Sequence, residues 1–177
     1  MPVPFTAVQL LWINIIMDGP PAMSLGVDPI GTHSMKALPR EPDARILSWQ
    51  RLGNLFCYGL AMASGTLGVL YYGLQTGSAA HASTLAFNTF VLFQVFNVFN
   101  ARSEKTSAFN KHFFSNRWFW LALVSVLLLQ ILIIQWSPAE AIFRTTPLTP
   151  TDWLIATGVA ASVLVFEELR KLLLKLK

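Results

Sequence analysis

Apolar residues fall in five long blocks separated by polar stretches, and each block is close to the ~20 residues that a helix needs to cross a membrane. The blocks run from about Phe5–Val27, Leu52–Leu74, Thr84–Asn100, Trp118–Trp136 and Asp152–Leu169. In lipid the backbone must satisfy its own hydrogen bonds, so blocks of this length predict helices rather than strands. The pattern therefore predicts an all-α, polytopic membrane helical bundle of about five transmembrane helices.

Composition supports a membrane protein and excludes several other classes. Of the 177 residues, 54% are hydrophobic and 12% are charged, whereas soluble domains carry about 25% charged residues. Cys57 is the single cysteine, which excludes an internal disulfide and a thiolate zinc cluster. The sequence contains no GxxxxGK[ST] phosphate loop and no evident Ser/His/Asp or Cys/His set. We therefore expect no catalytic residue and no cofactor-binding residue in this chain alone.

The basic residues predict the orientation of the bundle. All but one of the thirteen lie in the first connection, in the third connection or in the C-terminal tail, and the exception is Arg144. By the positive-inside rule these three regions are cytoplasmic. Five spans with a cytoplasmic C-terminus place the N-terminus outside, which is simplest if an odd number of helices precedes it. We therefore expect the chain to be the back half of a larger protein.

An amide and a carboxylate lie in the middle of the first apolar block. Asn14 and Asp18 are four residues apart, about 40° from one another around a helix, so both face the same way. Ionisable groups at membrane depth are functional candidates by default, and carboxylate and carbonyl oxygens are the ligands of hard cations. Gly19-Pro20-Pro21 would break the helix and free backbone carbonyls to join them. A second interpretation is that Asp18 caps the segment that follows the prolines, and the spacing leaves both interpretations open.

Other polar and small residues favour structural roles. Amides of the third block (Asn88, Gln94, Asn97 and Asn100) are expected to join helices. Small residues of the second block (Gly59, Ala61, Ala63, Gly65 and Gly68) predict a close-packing face. The histidines (His33, His81 and His112) fall in connections and are expected to be solvated. The basic end RKLLLKLK, preceded by Glu167 and Glu168, is typical of attraction to anionic lipid or of a solvated helix face.

Several ordered motifs resemble the P-type calcium-transporting ATPases. VQLLWINIIMDGPPAMSLG is similar to their sixth transmembrane helix, and LPREPDARIL to the cytoplasmic loop after it. FQVFNVFNARSEKTSAF resembles the eighth helix, NRWFWLAL the start of the ninth, and TTPLTPTDWLIATGVAASVLVFEELRKLL the tenth with its preceding loop. The resemblance covers nearly the whole chain. It implies one domain, 1–177, that corresponds to helices six to ten, and it is closest to the secretory-pathway and bacterial Ca/Mn pumps.

The resemblance also implies roles for individual residues. Asn14 and Asp18 match the ion-ligating amide and carboxylate of the sixth helix. Met17 stands where two-site calcium pumps carry a threonine ligand, and Gln94 stands where they carry a ligating glutamate. The resemblance therefore implies Asn14 and Asp18 as metal ligands, with Met17 and Gln94 at family ligand positions but not ligands themselves. It implies Ca²⁺ as the transported ion, Mn²⁺ as a second candidate, and one ion per cycle.

The same resemblance implies partners that complete the pump. The DKTGT phosphorylation motif is missing, so ATP and Mg²⁺ would bind only in cytoplasmic domains outside this chain. The implied partners are the lipid bilayer and the remaining N-terminal part of the pump, in the same longer chain or as a split gene product, and no nucleic acid. The implied location is a multi-pass membrane protein of the plasma membrane in a bacterium or of the secretory pathway in a eukaryote. The alternatives are a stand-alone scaffold or regulatory subunit of a partner pump, and a small ATP-independent cation carrier.

Overall fold

The computed structural model describes residues 3–17, 19–27, 49–102 and 114–175, with the backbone alone at 17, 50 and 173–175. Within these ranges the regular structure is helical and contains no strand. The elements are α1 (Ala7–Trp12), a π-helical segment (Ile13–Met17), α2 (Gly19–Gly26), α3 (Trp49–Thr76), α4 (Ala79–Arg102), α5 (Arg117–Gln135), α6 (Ser137–Phe143) and α7 (Pro150–Lys175). The predicted all-α bundle is confirmed.

Three of these helices are long and apolar enough to cross a membrane. They are α4, α5 and the part of α3 from Arg51 to Thr76. The first predicted block is divided among α1, the π segment and α2, and the fifth lies within α7. That the broken first block and α7 also cross the membrane stays a prediction.

Side-chain caps decide where three of the helices begin. Before α1, the Thr6 hydroxyl accepts from the Gln9 amide at 3.3 Å, and the Gln9 side chain accepts from the Thr6 amide at 2.9 Å. Asn116 accepts from a first-turn amide of α5 at 3.0 Å. Thr149 and Asp152 exchange the same kind of bonds at the start of α7, at 2.9 and 3.3 Å. Each cap satisfies amides that the first helical turn leaves without partners.

The connection between the second and third blocks is shorter than its composition predicts. α3 continues to Thr76 and α4 begins at Ala79, so only two residues separate them. His81 consequently lies in the first turn of α4, where its Nε2 is 3.1 Å from Oδ2 of Asp152 in α7. The expectation of a solvated loop histidine is wrong at this position, because the helix starts earlier than the polar residues suggest. His33 and His112 lie outside the described residues.

Helix α4 is the centre of the bundle, and α3 and α7 pack on one of its sides. Apolar side chains from the three helices form a continuous cluster in which the α4 members are fully or almost fully buried. Its main members are Met62 and Val69 of α3, Leu85, Leu92 and Phe93 of α4, and Ala156, Ala160 and Val163 of α7. Asn100 of α4 also joins α7, through a hydrogen bond from its Nδ2 to the Val163 carbonyl at 3.4 Å.

The opposite side of α4 packs on the π segment and on α5. This second cluster consists of Ile13, then Phe87, Val91 and Val95 of α4, then Phe119, Leu123, Val126 and Ile133 of α5. Ile13 is 5% exposed, so the π segment is anchored in the core by its first residue. The first chain segment is therefore positioned by α4 and α5 and not by its sequence neighbour α3.

Close helix packing in α3 depends on only part of the small-residue pattern. A Cβ at Gly65 would lie 2.6 Å from the Phe93 ring, and a Cβ at Gly73 would lie 2.8 Å from the Cα of Ala82. A Cβ at Gly59 or Gly68 would meet nothing within 4 Å in the described part of the chain. The predicted close-packing face is confirmed at Gly65, whereas Gly73 was not singled out.

Candidate cation site

The first apolar block loses its α-helical geometry over the π segment, directly before Asp18. The five residues Ile13–Met17 follow α1 without a gap, and α2 begins at Gly19. A π turn bonds residue i to i+5 and is rare except as a local widening of an α-helix, frequently at a functional site. The interruption therefore falls at the residues that the sequence marks as cation ligands.

The irregular segment lies on the N-terminal side of the two prolines. α2 runs from Gly19 to Gly26, so Pro20 and Pro21 lie in its first turn, where proline is tolerated because first-turn amides have no intrahelical partner to lose. A proline disrupts the turn before it, since it has no N–H and its ring clashes with the carbonyl four residues earlier. For Pro20 and Pro21 those carbonyls belong to Ile16 and Met17 of the π segment, so the irregularity falls where a break caused by Gly19-Pro20-Pro21 is expected.

Asn14 is directed away from the bundle. Its neighbour Ile13 is buried against α4 and α5, whereas the Asn14 side chain is exposed. The Asn14 side chain makes no hydrogen bond within the part of the chain that the structure describes. Its carboxamide oxygen is therefore available to a ligand. Apolar side chains close to Asn14 along the chain are exposed as well, namely Leu10 (47% exposed) and Leu11 (57%) of α1 and Ile15 (57%) of the π segment.

The other predicted ligand positions are described only in part. Asp18 lies outside the described residues, and so does the side chain of Met17. The predicted shared orientation of Asn14 and Asp18 consequently stays a prediction. The roles assigned to Met17 and Gln94 stay predictions as well.

Gln94 lies on the α4 face that looks toward the first chain segment. It is half-buried, and it forms no hydrogen bond within the described ranges. Residues four apart share a helix face, and Phe90, four residues earlier, has its ring centroid 5.4 Å from that of Phe5. The structure thus brings the Gln94 face and the start of α1 to the same side of the bundle.

A buried polar chain behind the π segment was not singled out from the sequence. The Trp12 indole Nε1 donates to Oε1 of Gln130 at 3.2 Å, and Nε2 of Gln130 donates to Oδ1 of Asn88 at 3.4 Å. Gln130 and Asn88 are both 0% exposed. The signal that could have found Gln130 is its position inside the otherwise apolar stretch LLLQILII, since a polar group in an apolar span needs a partner.

Both ends of the broken helix are tied to the bundle by further hydrogen bonds. In α1, Gln9 donates from Nε2 to the Phe143 carbonyl at 3.0 Å. In α2, the Ser24 carbonyl accepts from Nδ2 of Asn116 at 2.9 Å. The helices on both sides of the π segment are therefore held by the bundle, whereas the Asn14 side chain has no hydrogen-bond partner among the described residues.

The remaining ionisable clusters lie on other elements. His81 and Asp152 join α4 to α7, and Glu167 joins α7 to Tyr58 of α3. In the described ranges, no three His, Cys, Asp or Glu side chains lie close enough to hold a metal ion together.

Comparison with known proteins identifies the family. Residues 2–173 match the family model described as "Cation transporting ATPase, C-terminus". The chain belongs to this family. It covers only the C-terminal part of the family's longer members, as the ordered motifs implied.

Individual relatives of this cation-transporting ATPase family support the same assignment. The chain is 37% identical over 174 residues to calcium-transporting ATPase type 2C member 2 of Rattus norvegicus, covering 97% of this chain and 18% of that protein. It is 37% identical over 165 residues to the calcium-transporting ATPase of Bacillus subtilis, covering 91% and 18%. It is 39% identical over 169 residues to calcium-transporting ATPase 1 of Schizosaccharomyces pombe, covering 95% and 19%. The chain thus spans about a fifth of the length of these relatives.

Proposed function

We propose that these helices are part of an ATP-driven Ca²⁺ pump and that the broken first helix supplies Asn14 and Asp18 to the transported ion. The observation that carries the proposal is the π segment at Ile13–Met17, which precedes Asp18 and in which the Asn14 side chain has no partner among the described residues. The relatives named calcium-transporting ATPases support Ca²⁺ as the ion.

The direction of Asn14 suggests where the other ligands come from. The bundle covers Ile13, but Asn14 and its apolar neighbours Leu11 and Ile15 are exposed. A Ca²⁺ site needs six to eight oxygen ligands, more than one amide and one carboxylate provide. We infer that upstream helices of the same pump pack on this face and complete the site. ATP and Mg²⁺ would act in the cytoplasmic domains of that pump.

Mn²⁺ is the second candidate ion. Carboxylate and carbonyl oxygens suit both Ca²⁺ and Mn²⁺. The methionine at position 17 offers no oxygen to a second site, and the glutamine at position 94 offers no negative charge. A single site of this kind transports one ion per cycle. Competition between Mn²⁺ and Ca²⁺ for activation of phosphorylation tests this part of the proposal.

Removal of the carboxylate is the direct test. In the complete pump, Asp18→Asn should abolish Ca²⁺-dependent phosphorylation from ATP, because a neutral amide replaces the one charged ligand of this segment. Asn14→Ala should raise the Ca²⁺ concentration for half-maximal phosphorylation roughly tenfold or more, since it removes an oxygen proposed to bind the ion directly. Phosphoenzyme formation from labelled ATP across a Ca²⁺ titration measures both effects.

A matched control separates loss of a ligand from loss of a charge. Glu140→Gln makes the same acid-to-amide change in α6, outside the π segment, and should leave the Ca²⁺ dependence unaltered. Unchanged Ca²⁺ dependence in Asp18→Asn would contradict the ligand assignment. If neither Ca²⁺ nor Mn²⁺ stimulates phosphorylation of the complete wild-type pump, the proposed ion class is wrong.

A further inference from the structure

We propose that Gln130 is a positioning residue for the cation site, acting through Trp12 on the π segment that carries Asn14. This inference rests on the proposed function. Gln130 lies in the C-terminal half of α5, and in the described part of the chain its side chain bonds to Trp12 and Asn88 and not to Asn14. Its contact with the first helix is the hydrogen bond from the Trp12 indole at 3.2 Å.

The chemistry of Gln130 makes this bond difficult to replace. The side chain is 0% exposed, among the apolar residues Val126 and Ile133 of its own helix. A buried amide that lacks partners is costly, so most such side chains have at least one hydrogen-bond partner. Here the oxygen accepts from Trp12, and the nitrogen donates to Asn88 at 3.4 Å. The side chain of Gln130 therefore links α5, on which it lies, to α1 and to α4.

The position of Trp12 connects this tie to the site. Trp12 is the last residue of α1, and the π segment begins at the next residue. The indole is held from a second side by Phe143, whose ring centroid is 5.3 Å away in an edge-to-face arrangement. Asn14 follows Trp12 by two residues, so holding the indole in place also restrains the backbone from which the Asn14 carboxamide projects.

The π geometry makes the position of this segment depend on the residues that hold it. A π turn is less regular than an α turn and persists where its surroundings hold it. Ile13 is fixed by the core, and Trp12 by Gln130, so the widened turn starts from two fixed residues. Residues that hold a ligand in place without touching the ion typically change metal affinity about tenfold or more.

The experiment compares ion affinity with maximal phosphorylation in the complete pump. Trp12→Phe removes the indole donor and keeps an aromatic ring, and Gln130→Leu removes the acceptor. Each should raise the Ca²⁺ concentration for half-maximal phosphorylation from ATP about tenfold. The maximal phosphoenzyme level should stay unchanged, because phosphorylation takes place in another domain.

A double variant tests whether the two residues act through the same bond. Trp12→Phe with Gln130→Leu should shift the Ca²⁺ dependence no further than either change alone. Gln135→Leu is the matched control: it removes another glutamine of α5, whose Nε2 donates to the Leu148 carbonyl at 3.0 Å. This control should not shift the Ca²⁺ dependence.

The outcomes distinguish this inference from the proposed function. If Asp18→Asn abolishes Ca²⁺ dependence while Trp12→Phe and Gln130→Leu leave affinity unaltered, the positioning role is wrong and the ligand assignment stands. Additive shifts, or an equal shift in Gln135→Leu, would show a general packing effect and overturn the inference. If Gln130→Leu fails to fold, the milder Trp12→Phe decides the question. Retained Ca²⁺ dependence in Asp18→Asn overturns both.

Discussion

Glu167 lies near the end of α7, and its side chain is buried between α7 and α3. The carboxylate is 2% exposed, accepts a hydrogen bond from Tyr58, and pairs with Arg170 at 2.7 and 2.8 Å. The ammonium of Lys171 lies 3.7 Å from it. Arg170 and Lys171, which the sequence pattern assigns to lipid attraction or to a solvated face, therefore face an internal carboxylate.

Replacement of Glu167 by Leu should reduce the free energy of unfolding by about 3–5 kcal/mol. The change removes the buried carboxylate from Arg170 and leaves Lys171 with Glu168, whose Oε1 is 3.4 Å from Nζ. Breaking a buried ion pair by removing one partner is costly. Thermal unfolding of the purified protein in detergent, followed by circular dichroism, measures the loss.

Glu168 provides the control for this prediction. Its side chain is 26% exposed, so Glu168→Gln should cost about 1 kcal/mol or less. Adding Lys171→Met to Glu167→Leu should restore part of the stability. Equal losses in the two single variants would contradict the internal role of Glu167.

The candidate ligands can be recognised in the sequence, whereas the hydrogen bond between Gln130 and Trp12 cannot. Asn14 and Asp18 stand out from the sequence because both are polar within one apolar block and lie four residues apart. Gln130 supports Trp12 across 118 residues of chain, and no local spacing relates the two. The candidate ligands could thus be predicted, whereas the pairing of Gln130 with Trp12 could not.

At the scale of elements, the α3–α4 hairpin depends on a close backbone approach. Gly73 of α3 faces Ala82 of α4, and a Cβ at position 73 would lie 2.8 Å from a backbone atom. Backbone cannot rotate out of the way as the end of a side chain can. The two helices must therefore separate to accept any larger residue.

Gly73→Ala should consequently lower the free energy of unfolding by about 1–3 kcal/mol, as over-packing does in other cores. Gly68→Ala is the control in the same helix, since its Cβ would meet nothing within 4 Å in the described part of the chain. Removal of an exposed helical glycine should stabilise by roughly 0.5–1 kcal/mol. The same detergent unfolding measurement compares them, and a similar sign for both would contradict the close-approach argument.

The first block illustrates where element prediction fails. Its length and apolarity indicate a membrane helix, and the structure contains helix on both sides of Asp18. The prolines indicate a disturbance in the turn before them, where they clash with the carbonyls of Ile16 and Met17, but they do not predict that it takes the form of a π turn. The structure shows that the widened turn is Ile13–Met17 and that its first residue packs against α4 and α5.

At the scale of the whole molecule, α4 is the helix around which the others pack. α3 and α7 cover one side, and the π segment and α5 cover the other. This explains why α4 is apolar on every face and why its amides are used between helices, as Asn88 and Asn100 are. A helix buried all round has no polar face to reveal its orientation.

The orientation predicted from charge can be tested by cysteine labelling. In a Cys57→Ala background, Ser78→Cys between α3 and α4 should react with an impermeant maleimide added outside intact cells. Ser107→Cys, in the basic connection between α4 and α5, should react only after permeabilisation, because basic connections stay cytoplasmic. The reverse pattern would overturn the orientation.

The sequence by itself determined the helical class, the approximate positions of the helices, the family and the candidate ligand pair. These follow from local quantities: the length of apolar blocks, the placement of charges and the order of short motifs. The tertiary structure decided the central role of α4, the turn at which the first helix widens, and the polar partners of Trp12 and Glu167. Those depend on which helices meet, and the partners are separated by 118 and 109 residues. Helices of similar apolarity can pair in many ways, and the complementary shapes of their side chains select one.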